Sequence, residues 1–201
     1  ETFRNGQEIP YFEENSNGWY SQSLPRFGKY NDSDSLANIA GLIYNYSAVV
    51  DANELCPSGW HVPISTDFNN VVDSLGYGSL QFMAAGLASQ GTGYWEVEIE
   101  GTNETAMTIQ PFGSRSYLGE DNTWGVGTSL WCASTELPQS GQGWNFHPNT
   151  VTSNLVLRSR GRYVRCIKGE FAFGCTNPAF AEYDNGAEMD NGSCVSLLGC
   201  T

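Results

Sequence analysis

The feature that most constrains this chain is a cysteine-bracketed segment near its C-terminal end. It opens with Gly174-Cys175-Thr176-Asn177-Pro178, contains Tyr183-Asp184, and closes with Asp190-Asn191-Gly192-Ser193-Cys194. The same phrase begins again at Gly199-Cys200-Thr201. A short Asp-, Asn- and Gly-rich unit that restarts is typical of a small repeat built for an oxidising exterior. We therefore expect a protein that works outside the cell.

The cysteine spacing favours disulfides over a metal site. Six cysteines are present, at Cys56, Cys132, Cys166, Cys175, Cys194 and Cys200. No two have the spacing of a zinc knuckle, and the chain has only two histidines. Six cysteines allow fifteen pairings, which the sequence alone does not resolve.

Length and charge limit the classes of partner. The chain has 201 residues, which suits one medium domain with a small appendage. Its net charge is −13 with only nine Lys and Arg residues, which argues against nucleic acid and against docking on anionic lipid. No apolar run is long enough for membrane insertion. The chain starts at Glu1 rather than at methionine, so we interpret it as a processed or truncated product.

Two stretches carry the 3.6-residue period of a helix. The first consists of Phe68, Val71, Val72 and Leu75. It predicts a short helix over residues 66–75, capped by Ser65 or Thr66 and ended by Gly76. The second consists of Leu80, Met83, Ala84 and Leu87. It predicts another, shorter helix.

The remaining chain predicts short strands and long loops. Residues 89–150 show no helical period and are rich in glycine, asparagine and aromatic residues. Residues 130–133 are a candidate strand, and residues 154–157 and 162–167 are interpreted as a closing hairpin around 159–161. The fold class predicted is α+β, with two short helices, short antiparallel strands and long loops.

Four segments resemble one known family. They are residues 4–10, residues 41–49, residues 163–167, and Leu55-Cys56-Pro57-Ser58-Gly59-Trp60-His61-Val62-Pro63. Together they resemble the Fibrobacter succinogenes major paralogous domain family, and the resemblance spans residues 1–168. It implies a secreted, surface-associated bacterial domain with a C-type-lectin-like fold, which we assign to residues 1–170. Family members usually have another strand-like segment before Arg4, so we expect an open sheet edge at the N-terminal side.

The tail, residues 171–201, is similar to short repeats found in tandem on large surface proteins of marine and gut Bacteroidetes. Those proteins are often exported by the type IX route. The similarity implies an extracellular or cell-surface protein, secreted by a bacterium of the Bacteroidetes type.

The family resemblance and the tail repeat imply two disulfides. Cys56 and Cys166 flank the family core and are expected to pair. Cys175 and Cys194 are expected to close the tail repeat. The other two cysteines leave alternatives open: Cys132 pairs with Cys200, or Cys200 pairs with a cysteine beyond the chain and Cys132 stays free.

Calcium is the one cofactor that the sequence suggests. Hard oxygen ligands stand close together on the turn-rich tail, at Asp184, Glu188, Asp190 and Asn191. Their spacing is not that of an EF-hand loop. The alternative is a solvated turn held by Asx hydrogen bonds.

The candidate ligand-binding residues lie in the long non-periodic region. They combine flat apolar faces with hydrogen-bonding groups: Trp124, Trp131, Trp144, Asn145 and His147. Trp131, on a candidate strand, is the one most expected to be buried. The triplets with which C-type lectins hold calcium and sugar are absent from the sequence. The alternative is that these tryptophans pack the loops.

Three arginines at alternate positions form another candidate contact. In a strand, Arg158, Arg160 and Arg162 would point to one side. They would pair either with acidic residues of the same molecule or with an acidic neighbour.

The sequence favours binding over catalysis. No Ser-His-Asp order, nucleophile elbow or paired-carboxylate signature is present. We therefore expect a non-enzymatic adhesion or ligand-binding module, with a glycan or a protein as its ligand. The alternative is a structural subunit of an extracellular filament that contacts copies of itself. The expected open edge favours that alternative.

Overall fold

The structure is a computed structural model that describes residues 1–16, 18–19, 23–74, 93–96, 101–103, 105–134, 139–169, 173–187, 189–190 and 193–199. Its helices are α1 (Asp34–Ala40), α2 (Tyr46–Val49) and α3 (Ser65–Ser74), with a 3-10 turn at Tyr30–Asp32. Its strands are β1 (Phe27–Gly28), β2 (Ile43–Tyr44), β3 (Trp60–His61), β4 (Phe112–Arg115), β5 (Asp121–Trp124), β6 (Thr128–Cys132), β7 (Ser140–His147), β8 (Thr150–Leu157), β9 (Arg162–Tyr163), β10 (Ile167–Lys168), β11 (Phe173–Gly174) and β12 (Met189–Asp190).

The main sheet is organised around β6, which contains residues 130–132 of the strand predicted at 130–133. The strand order is β1-β2-β9-β6-β4-β5, and β7 and β8 continue the sheet from β6. One edge of β6 pairs with β7 along its whole length. Its other edge pairs with β4 and β9, and both pairings are parallel. The sheet is therefore mixed, whereas the sequence predicted antiparallel strands.

The predicted closing hairpin is wrong. Strand β8, which contains residues 154–157, pairs with β7 from Ser140↔Leu157 to His147↔Thr150. Only Pro148 and Asn149 connect these strands, and a two-residue connection favours a tight hairpin. The three residues after β8 form a turn, and β9 pairs instead with β2 and β6.

Helix α3 confirms the predicted helix over residues 66–74 but begins differently, and Leu75 and Gly76 lie outside the described residues. The Asp67 carboxylate accepts a hydrogen bond from the backbone N–H of Ile64 at 2.8 Å. A carboxylate at the third position of a helix reaches back to the backbone N–H of the residue that precedes the helix. It supplies the cap predicted for Ser65 or Thr66, and the Ser65 hydroxyl instead lies 3.7 Å from the Cys132 sulfur. The second predicted helix lies outside the described residues.

Two further helices escaped prediction because they are too short to show a period. Helix α1 has seven residues and α2 has four. Each begins at a capping side chain: Ser33 accepts from the N–H of Leu36, and Asn45 accepts from the N–H of Ala48. No helix in the described ranges is long and apolar enough to cross a membrane.

Residues of β6 alternate between two hydrophobic clusters. Leu130 and Cys132 pack in a cluster with Phe68, Phe146 and other residues on the side that carries α3, which we call the helix face. Trp131 packs in a second cluster on the opposite side. We call this second side the arginine face, because Arg162 covers Trp131 there. All five residues of β6 are buried.

Both disulfides implied by the family resemblance and the tail repeat are present. Cys56 bonds to Cys166, and Cys175 bonds to Cys194. Cys132 is a buried free thiol, so the Cys132–Cys200 pairing is not formed. Burial raises the pKa of the Cys132 thiol, although hydrogen bonds with the Ser134 and Ser65 hydroxyls oppose that rise.

The tail is held by local hydrogen bonds besides its disulfide. The Glu182 carboxylate accepts hydrogen bonds from the Ser196 hydroxyl and from the N–H groups of Ser196 and Val195, which lower the pKa of Glu182 to about 2. The Asp184 carboxylate accepts from the N–H of Gly186 at 2.8 Å, as in an Asx turn.

Of the other residues assigned to calcium, Glu188 and Asn191 lie outside the described residues, and the side chain of Asp190 is also outside them. The described residues contain no group of three or more metal-binding side chains. Calcium binding at the tail stays a prediction.

The N-terminal segment covers the edge that was expected to be open. Phe27 in β1 donates its N–H to the carbonyl of Pro10 at 3.0 Å and accepts from the N–H of Phe12 at 2.9 Å. Tyr11 thereby forms a parallel bridge with Phe27. Because the extended residues 10–12 run along β1, the prediction of an open edge there is wrong.

Removal of the Phe68 side chain tests the packing of α3. Phe68 is 5% exposed and stacks on Trp144 with ring centroids 5.2 Å apart. We expect Phe68→Ala to lower the free energy of unfolding by about 3–5 kcal/mol, measured by urea denaturation. Asn70→Ala, on the exposed side of the same helix, is the control and should change it by less than about 0.5 kcal/mol. Equal effects would contradict the packing described for α3.

Candidate ligand-binding cavity

The predicted ligand-binding residues divide between the two faces of the sheet. Trp131 is 0% exposed and donates its indole N–H to the carbonyl of Tyr44 at 2.7 Å. The ring of Tyr46 meets it edge-on, with centroids 5.0 Å apart. A side chain enclosed in this way packs the core, so its assignment as a ligand contact conflicts with the structure.

The other two tryptophans also pack against neighbouring rings. Trp144 points to the helix face, where it stacks on Phe68. Trp124 lies against Tyr30 and Phe112, with ring centroids 4.9 and 5.3 Å away. The three tryptophans therefore share no common surface, as the packing alternative expected.

Asn145 and His147 do come together, in a cavity of about 170 Å³. Five strands and the turn before β9 supply its lining: Ser114, Arg115, Asn122, Thr123, Thr128, Ser129, Asn145, His147, Arg160 and Arg162. All these side chains are polar or charged. The cavity is therefore suited to a hydrophilic ligand.

The alternation of β7 explains why these two residues reach the cavity. Successive side chains of a strand point to opposite faces, so Asn145 and His147 leave the sheet on the side opposite Trp144 and Phe146. Asn145 is paired in register with Ser129 of β6, and the Ser129 hydroxyl donates to its amide oxygen at 3.0 Å. The Asn145 amide donates to the Asn154 side chain at 3.0 Å. These contacts fix the amide.

Arg162 is the most unusual residue in the lining. It lies in β9, is 3% exposed, and holds its guanidinium carbon 5.0 Å from the centre of the Trp131 ring. Gly143, the partner of Trp131 in β7, leaves room for it. A Cβ atom at position 143 would lie 2.2 Å from Nη1 of Arg162. The guanidinium therefore rests on a floor made by an indole ring and a glycine.

Arg162 has no counter-ion within the described part of the chain. Its Nη1 is buried and has no hydrogen-bond acceptor there. Burial, and secondarily the positive charge of Arg160, lower the pKa of Arg162 to about 9. Burying an unpaired charge is costly, so an anion that entered the cavity would relieve an existing penalty.

The two other arginines of the lining differ in role. Arg115 is already paired: its Nε and Nη2 donate to the two carboxylate oxygens of Asp121 at 2.7 and 2.9 Å. It also donates to the carbonyl of Lys29 at 2.8 Å, so it joins separate parts of the fold. Arg160 is half-buried and makes no ion pair with any described residue. Arg160 and Arg162 are thus the cations available to a ligand.

A strained residue lies at the edge of the cavity. Thr123 has a φ of 63°, a conformation that β-branched residues rarely adopt. Its hydroxyl donates to the carbonyl of Asn122 at 2.7 Å. Thr108, which is not in the lining, has a similar φ of 51°, so this conformation is not confined to the cavity.

The sequence contained part of the signal for this site. Arg158, Arg160 and Arg162 stood out as a group that would point to one side if the three lay in a strand. Residues 158–160 form a turn instead, and Arg158 lies over the Tyr46 ring at 5.2 Å. The glycines of β7 are the missed signal, since glycine within a strand often marks close approach by another group.

Gly143→Ala tests the floor under Arg162. The added methyl group would collide with the guanidinium, so we expect the free energy of unfolding to fall by about 1–3 kcal/mol in urea denaturation. Ser153→Ala, at an exposed position of β8, is the control and should be nearly silent. An unchanged unfolding midpoint for Gly143→Ala would contradict the placement of Arg162.

Comparison with known proteins identifies the family. No curated protein and no solved structure matches the chain. The family model of the Fibrobacter succinogenes major domain matches residues 1–168, which is most of the chain. The chain belongs to the Fibrobacter succinogenes major domain family.

Proposed function

We propose that this chain is a non-enzymatic ligand-binding module that acts in adhesion on the outside of a bacterial cell. The observation that carries the proposal is the polar cavity, where two arginines without ion pairs among the described residues stand beside Asn145 and His147. The chain has a net charge of −13 with only nine Lys and Arg residues, so cations are scarce on it. Two of them meet at one small cavity, which favours recognition of a ligand.

The strands around the cavity hold its side chains in fixed positions, which is suited to binding. Sites carried on strands hold their groups more precisely than sites on loops. Ser129 and Asn145 are locked to each other in register, and Arg162 is held against Trp131. Little ordering of these groups is needed when a ligand enters, and such preorganisation favours affinity.

Two disulfides support an extracellular or cell-surface location, because such bonds persist in oxidising compartments. We propose that residues 171–201 act as a surface-protein repeat of the Bacteroidetes type, closed by Cys175–Cys194. We further propose that residues 1–170 have a C-type-lectin-like arrangement. A mixed sheet with a helix packed on one face, and a disulfide between distant parts of the domain, support that arrangement.

A filament subunit is the second candidate, and strand β8 is the observation that favours it. Among the described residues β8 pairs only with β7, so its other edge has no strand partner there. Its eight residues contain no charge, proline or glycine, the features that usually protect an edge. Leu155 and Leu157 are 52% and 36% exposed on it. A second copy could add a strand at this edge.

Binding arrays and particle size separate the two functions. We expect the purified chain to be a monomer in size-exclusion chromatography and to bind members of combined glycan and peptide arrays. His147→Ala, in the cavity lining, should weaken that binding about tenfold, as expected for the loss of one to two hydrogen bonds. Leu118→Ala, at an exposed position outside the lining, is the control and should keep it.

Ordered polymers in negative-stain images, without binding on the arrays, would contradict the binding function. If Leu155→Lys then dissolved those polymers, β8 would be the assembly edge, because a charge there opposes strand addition.

A further inference from the structure

We propose that the cavity binds one acidic sugar unit, with the carboxylate of the sugar against Arg160 and Arg162. This inference rests on the proposed ligand-binding function and assigns the class of ligand. It follows from three properties of the lining: its uncompensated positive charge, its hydrogen-bonding groups and its size.

The charge of the lining selects an anion. Arg162 is 3% exposed, and its Nη1 lacks an acceptor within the described ranges. Arg160 adds a second positive charge at the same cavity and makes no ion pair with the described residues. The third arginine, Arg115, is neutralised by Asp121. A ligand with one negative group would compensate the positive charge that has no ion pair among the described residues.

Guanidinium geometry favours a carboxylate. An arginine presents parallel N–H groups that match the two oxygens of a carboxylate. Arg162 is fixed by the Trp131 ring, whereas the half-buried Arg160 retains freedom to adjust. One fixed and one adjustable guanidinium can donate hydrogen bonds to a carboxylate from two sides.

The rest of the lining matches the hydroxyl groups of a sugar ring. Thr128 and Ser129 contribute hydroxyls, and Asn122 and Asn145 contribute amides. Hydroxyl and amide groups both donate and accept hydrogen bonds, as sugar hydroxyls do. Each of these groups has a partner within the protein, and each keeps a further hydrogen-bonding position that a sugar hydroxyl can use. The acidic side chain of a peptide would satisfy the arginines but would bring no hydroxyl groups to these positions.

The size of the cavity limits the ligand to one unit. Its volume of about 170 Å³ lies below the range of about 300–1,000 Å³ typical of pockets for drug-sized molecules. A single sugar ring is therefore the part of a ligand that enters. The remainder of a longer saccharide would extend over the surface.

Calorimetric titration of the 201-residue, disulfide-bonded chain tests the inference. The probes are short oligosaccharides of glucuronate and galacturonate, their neutral glucose and galactose counterparts, a sulfated saccharide, and an Asp/Glu peptide. We expect the uronates to bind at least tenfold more tightly than every other probe. Their affinity should also fall as salt is added, because salt screens charge.

Variants that each lower the net charge by one, inside or outside the cavity, locate the site. Arg160→Gln should weaken uronate binding about tenfold or more, as expected for the loss of a charge-assisted hydrogen bond. Lys168→Gln, at an exposed position outside the lining, removes the same charge and should change the affinity less than about twofold. Asn145→Asp, nearly equal in shape, would place a carboxylate in the cavity and should abolish binding of the acidic sugar. Circular dichroism and the unfolding midpoint check that each variant is folded.

The possible outcomes are distinguishable. Equal binding of neutral and acidic sugars, or equal effects of Arg160→Gln and Lys168→Gln, would overturn the acidic-sugar assignment and leave the binding function standing. Tightest binding of the sulfated saccharide would overturn the assignment of a carboxylate. Tightest binding of the peptide would overturn the assignment of a sugar. Failure of every probe here and on the arrays, with ordered polymers in solution, would overturn both proposals.

Discussion

The structure depends on a strand that is buried on both sides. Every residue of β6 is buried, and the strand joins β7 on one edge to β4 and β9 on the other. Trp131 at its centre donates to the carbonyl of Tyr44 at 2.7 Å, which ties β6 to β2 across the intervening β9. Leu130 and Trp131 point to opposite faces, so one strand fixes both hydrophobic clusters. A change in register at β6 would exchange these clusters and dismantle the sheet.

That strand also separates a packed face of the sheet from a polar one. On the helix face, Trp144 and Phe146 pack against Phe68 in the hydrophobic core. On the arginine face, Trp131 and Gly143 form a flat floor on which a guanidinium lies. The floor holds Arg162 beside the polar ends of the neighbouring strands. The same alternation that builds the core thus leaves a polar, positively charged cavity on a strongly acidic protein.

Local and covalent features could be predicted from the sequence. The period of Phe68 and its neighbours predicted α3, and the family resemblance and the tail repeat implied the two disulfides that the structure contains. The pairing of β7 with β8 was missed, because hydrophobic and polar residues do not alternate regularly over residues 150–157. The exposed side chains of β8 include both polar and apolar ones. The cavity could be predicted only in part. Asn145 and His147 were chosen for their chemistry, but the approach of Arg162 to Gly143 depends on long-range pairing, which no local pattern encodes.

The position of Arg162 over Trp131 is the central claim of this account, and two-dimensional ¹H–¹⁵N NMR of the arginine side chains tests it most directly. An N–H group held over an indole ring and shielded from water should resonate far from the signals of exposed arginines and exchange slowly with solvent. The account predicts such a signal for Arg162, and predicts that it moves when glucuronate is added. An Arg162 signal with the chemical shift and rapid exchange of a solvent-exposed guanidinium, unchanged when glucuronate is added, would contradict it.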